Sequence, residues 1–274
     1  MQGGECRLSD FLPSCEQAAR AGGEVLLRWI GRFAVREKGP SDLVTEADTE
    51  SQQAVRSLLL SRFPHHDIVG EEDESRGSRR AEYCWFIDPL DGTTNYVHQV
   101  PHYAVSVALA RRGQVVAATV FDPVSRECYT AAHGEGAYLN GQKLRVSGVE
   151  QLSRALVAAS FSSKVEPTSP EIDQFIAAIL ACQGVRRTGS AALNMCYVAA
   201  GRFDGFWAMS TKAWDVAAGV LLVQEAGGVV SDLRGEPLAL AEPHPVAAST
   251  PLLHRQLRHL LQTADRKRSL GAPG

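Results

Sequence analysis

The chain has 274 residues, enough to bury a sizeable core as one large domain or two closely packed ones. With 45% hydrophobic and 22% charged residues it has the composition of an ordinary globular protein, which excludes disordered and fibrous classes. A formal net charge of -3 argues against the broad basic surface of a nucleic-acid binder, and no apolar run approaches the ~20 residues of a membrane span. Neither a nucleic-acid nor a membrane partner is expected. The opening MQGGECRLSD has no basic segment followed by an apolar run, so a cytoplasmic location is expected. Cys6, Cys15, Cys84, Cys128, Cys182 and Cys196 stand singly with no CxxC pair, as reduced, mostly buried thiols do.

From Ser9 to Phe33 the apolar positions Phe11, Cys15, Ala18, Gly22, Leu26, Trp29 and Phe33 advance by three or four, the spacing of a long amphipathic helix whose middle Gly22 and Gly23 weaken. The segment KGPSDLVT reads as a loop. Thr45 and Asp48 then form a capping pair for a second helix, which runs through Val55, Leu58, Leu59 and Phe63 to a stop at Pro64. His65 and His66 fall in a surface turn, and an acidic loop, GEEDES, follows. Strands are predicted at Cys84 to Asp88, Ala104 to Ala110 and Val115 to Phe121, an antiparallel meander with turns at Arg112–Gly113, Gly134 and Asn140–Gly141.

After about residue 150 strands and helices alternate. Leu156 to Ser160, Phe203 to Met209, Val229 to Ser231 and Val246 to Ser249 read as strands. Glu171 to Ala181, Ala191 to Ala200 (capped by Ser190), Asp215 to Ala226 and Pro251 to about Thr263 read as helices. The expected organisation is a single layered α/β (α+β) sandwich over 1–264, with subdomains of about 1–150 and 151–264, and a basic flexible tail at 265–274.

Chemistry concentrates in WFIDPLDGTTNYVH, residues 85–98. An apolar strand delivers Asp88, Pro89 stops the ladder, and Asp91 follows just before Gly92, Thr93 and Thr94. Two carboxylates thus leave one strand end together, beside N–H groups able to open a short helix and receive a phosphate. Hard divalent cations choose such oxygen ligands. The same acids can also be plain turn formers, and Asp215, after Trp214, can be a helix N-cap.

This string and WDVAAGVLLVQEAGG, residues 214–228, closely resemble the two signature motifs of the inositol monophosphatase family of lithium-sensitive, Mg²⁺-dependent phosphatases. KGPSDLVTEAD and IVGEE match supporting segments in the same order, and the resemblance runs from about residue 10 to 262. It implies the sugar-phosphatase sandwich of alternating helix and sheet layers, a homodimer, lithium sensitivity, and Mg²⁺ held by Glu71, Asp88, Asp91, Asp215 and the carbonyl of Leu90. It implies further that Thr93, paired with Asp48, activates the attacking water alongside Glu71, and that Lys38 corresponds to a mobile-loop lysine near the site, although a surface lysine fits Lys38 equally well. If the four acids converge to ~5 Å at an effective dielectric of ~20, each pair repels by roughly 3 kcal/mol, and divalent metal is the simplest compensation.

Asp91, Gly92, Thr93, Thr94, Ala191, Asp215, Lys38 and, by the same resemblance, Ser162 are the expected substrate contacts. Inositol-specific members carry a glutamate seven residues before the second-motif aspartate, where this chain has Ala208. The expected activity is hydrolysis of inositol 1-phosphate or a related small polyol or sugar phosphate by metal-activated water. The alternatives are a histidinol-phosphate phosphatase, or a noncatalytic binding or regulatory member of the family. Fructose 1,6-bisphosphate and adenosine 3′,5′-bisphosphate are further substrates within the fold. Arg186, Arg187 and the basic tail read by default as solvated charge, with a dimer contact or an acidic partner as the alternatives.

Overall fold

The computed structural model describes residues 11–39, 42–72, 81–162 and 164–271, with the backbone alone at 35–39, 42–44 and 265–271. Cys6, most of the acidic loop after Glu72 and the last three residues lie outside the described residues. The long first helix is α1 (Leu12–Trp29). The presumed loop after it pairs instead as a hairpin of β1 (Val35–Gly39) and β2 (Asp42–Thr45), whose register skips Lys38 between Glu37↔Leu43 and Gly39↔Asp42. Thr45 caps α2 (Glu46–Arg62) as its sequence predicts: its hydroxyl accepts from Ala47 N at 3.1 Å, while its own N–H donates to Asp48 Oδ2 at 2.8 Å.

A seven-stranded sheet follows in chain order: β3 (Asp67–Gly70), β4 (Tyr83–Asp91), β5 (Ala104–Arg111), β6 (Gln114–Asp122), β7 (Glu127–Ala132), β8 (Gly136–Leu139) and β9 (Gln142–Lys143). Only β3 and β4 run parallel; the rest is a meander. Both two-residue turns predicted as hairpins have the positive φ pair that a type I′ turn requires, 51° and 85° at Arg112–Gly113, 49° and 81° at Asn140–Gly141. The second sheet has the order β11 (Gly184–Arg186), β10 (Leu156–Ser160), β12 (Gly205–Ala208), β14 (Val246–Ala248), β13 (Val229–Ser231) and is mixed. Its helices are α4 (Pro170–Ala181), α5 (Ala191–Ala199), α6 (Ala213–Glu225) and α7 (Pro251–Gly271). The backbone of α7 stays helical well past Thr263, where its apolar spacing ends, because nothing in the basic run that follows breaks a helix.

Strand alternation sorts these elements into layers. Trp85 and Ile87 of β4 face Leu26, Val55 and Leu59 of α1 and α2, whereas the intervening Phe86 joins Leu193 and Met195 of α5 and Val216 and Val220 of α6. Across that helix pair Phe206 of β12 closes the central core, and the next residue, Trp207, turns to Leu253, Leu257 and Leu261 of α7. Helix, sheet, helix, sheet and helix therefore alternate, the sandwich that the sequence resemblance implies. No helix among the described residues is long and apolar enough to cross a membrane.

The paired glycines of α1 have a packing reason that helical propensity hides. A Cβ on Gly22 would lie 2.8 Å from Ser51 Oγ, and one on Gly23 would lie 2.6 Å from the Phe121 ring. His66 likewise leaves the surface: it stacks between Phe63 and Tyr83 and accepts from Trp85 Nε1 through Nδ1 at 3.1 Å. Intrinsic propensity alone would make Gly23→Ala stabilising by up to about 1 kcal/mol. Overpacking against Phe121 outweighs that at roughly 1–3 kcal/mol, so Gly23→Ala is expected to lower the urea midpoint; a raised midpoint would refute the close-packing account.

Candidate active site

The parallel strands β3 and β4 end at the same edge of the first sheet, which sets Glu71 beside the residues that close β4. Pro89 does not end β4. Pairing passes from Asp88↔Ser106 to Asp91↔Ala104, so Pro89 and Leu90 sit in a bulge where the missing N–H is harmless. Ser51 Oγ of α2 donates to Pro89 O at 2.9 Å and fixes the bulge, and Leu90 N donates to Asp88 Oδ1 at 3.0 Å. Gln52, one residue on, takes the N–H of Glu72 at 3.0 Å and so holds the turn that carries Glu71.

Gly92 follows at φ 103°, and a Cβ there would lie 3.1 Å from His102 O and 3.2 Å from Tyr103 Cβ, so the turn requires glycine. It opens α3 (Thr93–Val97). Thr93 Oγ1 lies 3.1 Å from Leu90 O and 3.4 Å from Asp48 Oδ1, which joins the bulge to the cap of α2. Asn95 Nδ2 donates to His102 O and to Thr188 O, both at 2.8 Å, bracing α3 against the segment before α5.

These residues wall one side of a cavity of ≈ 700 Å³ at the ends of both sheets. Glu71, Asp88, Leu90, Asp91 and Gly92 to Thr94 line it from the first sheet, and Ala191, Ser162 and Asp215 from the second half of the chain. Three other expected positions stand apart. Asp48 is buried behind Thr93 and does not line the cavity, and Ala208 is buried in β12. Lys38 lies on β1, and its side chain is outside the described residues.

Asp91 makes contacts that no local pattern announces. Its carboxylate accepts from Ser190 Oγ, from Ala191 N at 3.2 Å and from Ala192 N at 2.8 Å, thereby occupying the N-terminus of α5. Asp215 is not the cap of α6 but its third residue, with Lys212 N donating to Asp215 Oδ2 at 2.8 Å. Arg187 also lines the cavity, with its guanidinium 5.1 Å from the centre of the Phe161 ring. The sequence offered it as solvated charge, a dimer contact or a site for an acidic partner, because nothing in RRTGS shows which of two adjacent arginines borders the cavity.

Burial and repulsion act together on the acids. Asp88, only 2% exposed, is pushed well above the carboxylate range by burial and then by the charges of Glu71, Asp91 and Asp215. Burial lifts Asp91 to about 6 against the pull of its bonds to Ser190 and the α5 amides, and lifts Asp215 to about 7 against its bond from Lys212 N. Asp48 is raised to about 6 by burial despite its bonds from Thr45. Among the described residues no three His, Cys, Asp or Glu side chains already form a metal cage. The donor set nevertheless fits Mg²⁺, which prefers oxygen, takes one or two carboxylates, and completes its shell with water and phosphate rather than an all-protein cage.

A sequence model of the inositol monophosphatase family matches residues 8–266. The chain is similar to a Nus factor SuhB of Pseudomonas aeruginosa, 44% identical over 85% of this chain and 89% of that one. It is also similar to an inositol-1-monophosphatase of Rhizobium meliloti, 39% identical over 90% of this chain and 94% of the relative. The solved inositol monophosphatase of Anabaena (Nostoc) sp. PCC 7120 superposes with a TM-score of 0.85 at 36% identity, covering 93% of this chain and 96% of that structure.

A raised carboxylate pKa stabilises the fold only while the group is protonated. The contribution of Asp215 is complete below the ordinary value of 3.8 and is lost as pH rises through about 7. Without divalent cations, Asp215→Asn is therefore expected to raise Tm relative to the parent at about pH 8 and to give little gain at about pH 4. A gain independent of pH, read by calorimetry in chelator, would count against buried repulsion as its source.

Proposed function

The chain belongs to the inositol monophosphatase family, and from that membership we propose that it is a Mg²⁺-dependent phosphomonoesterase acting on inositol 1-phosphate or a related small polyol phosphate. The observation that carries this reading is the lining of one cavity by Glu71, Asp88, Asp91 and Asp215 next to the turn that opens α3. Asp88, Asp91 and Asp215 each spend part of their acceptor capacity on a backbone amide, and the remaining oxygens, with Glu71 and the Leu90 carbonyl, would hold the cation. Bound Mg²⁺ would supply positive charge to the phosphate oxygens and the leaving oxygen and would acidify the attacking water.

The protein's own part is orientation and proton handling. The N–H groups of Gly92, Thr93 and Thr94 bind the phosphate from the α3 side. Thr93 Oγ1 accepts a hydrogen bond from the attacking water while directing its own proton toward Asp48 Oδ1, 3.4 Å away. Asp48, at about 6, is mostly ionised near neutral pH and serves as the acceptor at the end of that relay. Glu71 lines the same cavity and orients the water from the other side. No side chain need take the phosphoryl group. The exposed Ile176, Ile179 and Leu180 on α4 support a homodimer.

A second reading rests on the relatives named Nus factor SuhB: a binding role that does not depend on turnover. Phosphate release from inositol 1-phosphate, histidinol phosphate and fructose 1,6-bisphosphate, with and without Mg²⁺, tests the first. Turnover of inositol 1-phosphate is expected only with Mg²⁺, and Thr93→Ala is expected to lower kcat by roughly 10²-fold or more with KM little changed. Li⁺ is expected to inhibit. No release from any ester would defeat the enzymatic reading, and a cellular phenotype that persists in Thr93→Ala would favour the binding role.

A further inference from the structure

The charges around the cavity are divided unequally. Among the described residues, the acids that line it are the four described above and the cations are Lys212 and Arg187. Lys212 adjoins Asp215, whose ionised form its charge favours, so its field is spent largely on the acids. Arg187 is different: among the described residues no carboxylate is paired with it, and its visible partner is the face of Phe161. Phe161 is itself held edge-on by Phe175 of α4, with ring centres 5.4 Å apart. A guanidinium stacked on a fixed ring keeps its N–H edge available for a planar anion.

The backbone that presents Arg187 is braced on both sides. Thr188 O accepts from Asn95, and Thr188 Oγ1 donates to Asn194 Oδ1 at 2.7 Å. Gly189, at φ 92°, lies so close to Asn95 that a Cβ would stand 2.8 Å from its amide nitrogen. Nearby walls are formed by Ser160, Ser162 and Ser210, which add no negative charge. Among the described residues, the part of the cavity built from the second half of the chain therefore offers a cation, Arg187, that is paired with no carboxylate.

We infer that Arg187 determines specificity by binding a second anionic group on the leaving alcohol, so that the preferred substrates are phosphomonoesters carrying a carboxylate or another phosphate. Esters with a cationic alcohol are disfavoured, which separates this class from histidinol phosphate. The inference rests on the phosphomonoesterase reading and narrows its substrate class.

Two matched pairs test it: 3-phosphoglycerate against glycerol 3-phosphate, which differ by carboxylate for hydroxymethyl, and fructose 1,6-bisphosphate against fructose 1-phosphate. In at least one pair the intact enzyme with Mg²⁺ is expected to favour the member with the anionic alcohol by roughly tenfold in kcat/KM, the scale of one charge-assisted contact at a solvent-facing site. Arg187→Gln is expected to erase that preference, Arg187→Lys to keep part of it, and Arg187→Glu to turn it toward phosphoethanolamine. Calorimetric titration of the same pairs in Ca²⁺ reads the preference as a ratio of affinities without turnover. A preference that survives Arg187→Gln, or none in either pair for the parent, overturns the inference. If no ester is hydrolysed but the calorimetric preference depends on Arg187, the phosphatase reading fails and the anion subsite stands.

Discussion

Four carboxylates that the fold forces into one cavity are the constraint around which the rest of the chain is arranged. Their repulsion raises the cost of folding, and a buried carboxylate without compensation neutralises itself rather than stay charged. The structure compensates in part with backbone dipoles: the N–H of Leu90 serves Asp88, the first amides of α5 serve Asp91, and the amide of Lys212 serves Asp215. Each contact leaves acceptor capacity for a cation. The acids thus stand in a field favourable enough for folding and too weak to satisfy them, which is what a site for a hard divalent ion requires.

Asp91 has the further consequence of joining the two halves of the molecule. It terminates β4 in the first sheet and occupies the N-terminus of α5, which packs between the sheets. Asn95 repeats the link through Thr188, and Ser106 Oγ does so again by donating to Trp214 O at 3.3 Å, next to Asp215. The site is consequently the seam between the halves. Asp91 thus ties the end of β4 to the first turn of α5, which follows directly on the segment that carries Arg187.

How much of this was legible in the sequence follows from the range of each interaction. Asp88, Asp91 and Gly92 to Thr94 share one short string, and the Thr45–Asp48 cap spans three residues, so both could be read locally. The layers were legible because residues such as Trp85, Phe86 and Ile87 alternate in step with the strand period. What escaped was tertiary. Pro89 reads as a strand stop until Ser51 of α2 is seen to anchor its carbonyl in a bulge, and Gly23 reads as a weak point until Phe121 is seen against it. The β1–β2 hairpin lies in a run with Gly, Pro and Ser at its centre, where turn composition masks short strands. The bond from Ser190 to Asp91 spans 99 residues, and no periodicity carries that information.

On the proposed reading, the same geometry would let one arrangement of acids serve different substrates. Glu71, Asp88, Asp91 and the α3 turn come from the first half, on a sheet edge stiffened by Ser51, Gln52 and Asn95. The opposite wall of the cavity comes almost entirely from the second half: the end of β10, the 187–191 segment and the loop before α6. Substitutions on that wall change what the leaving group meets without adding to the repulsion among the acids. On the inferred specificity, presenting Arg187 acts toward negative alcohols, while among the described residues Asp215 is the one acid that the second half contributes to the cavity. On the proposed reading, specificity would drift on one side of the seam while the stability cost of the acid cluster, set mainly on the other side, stays fixed.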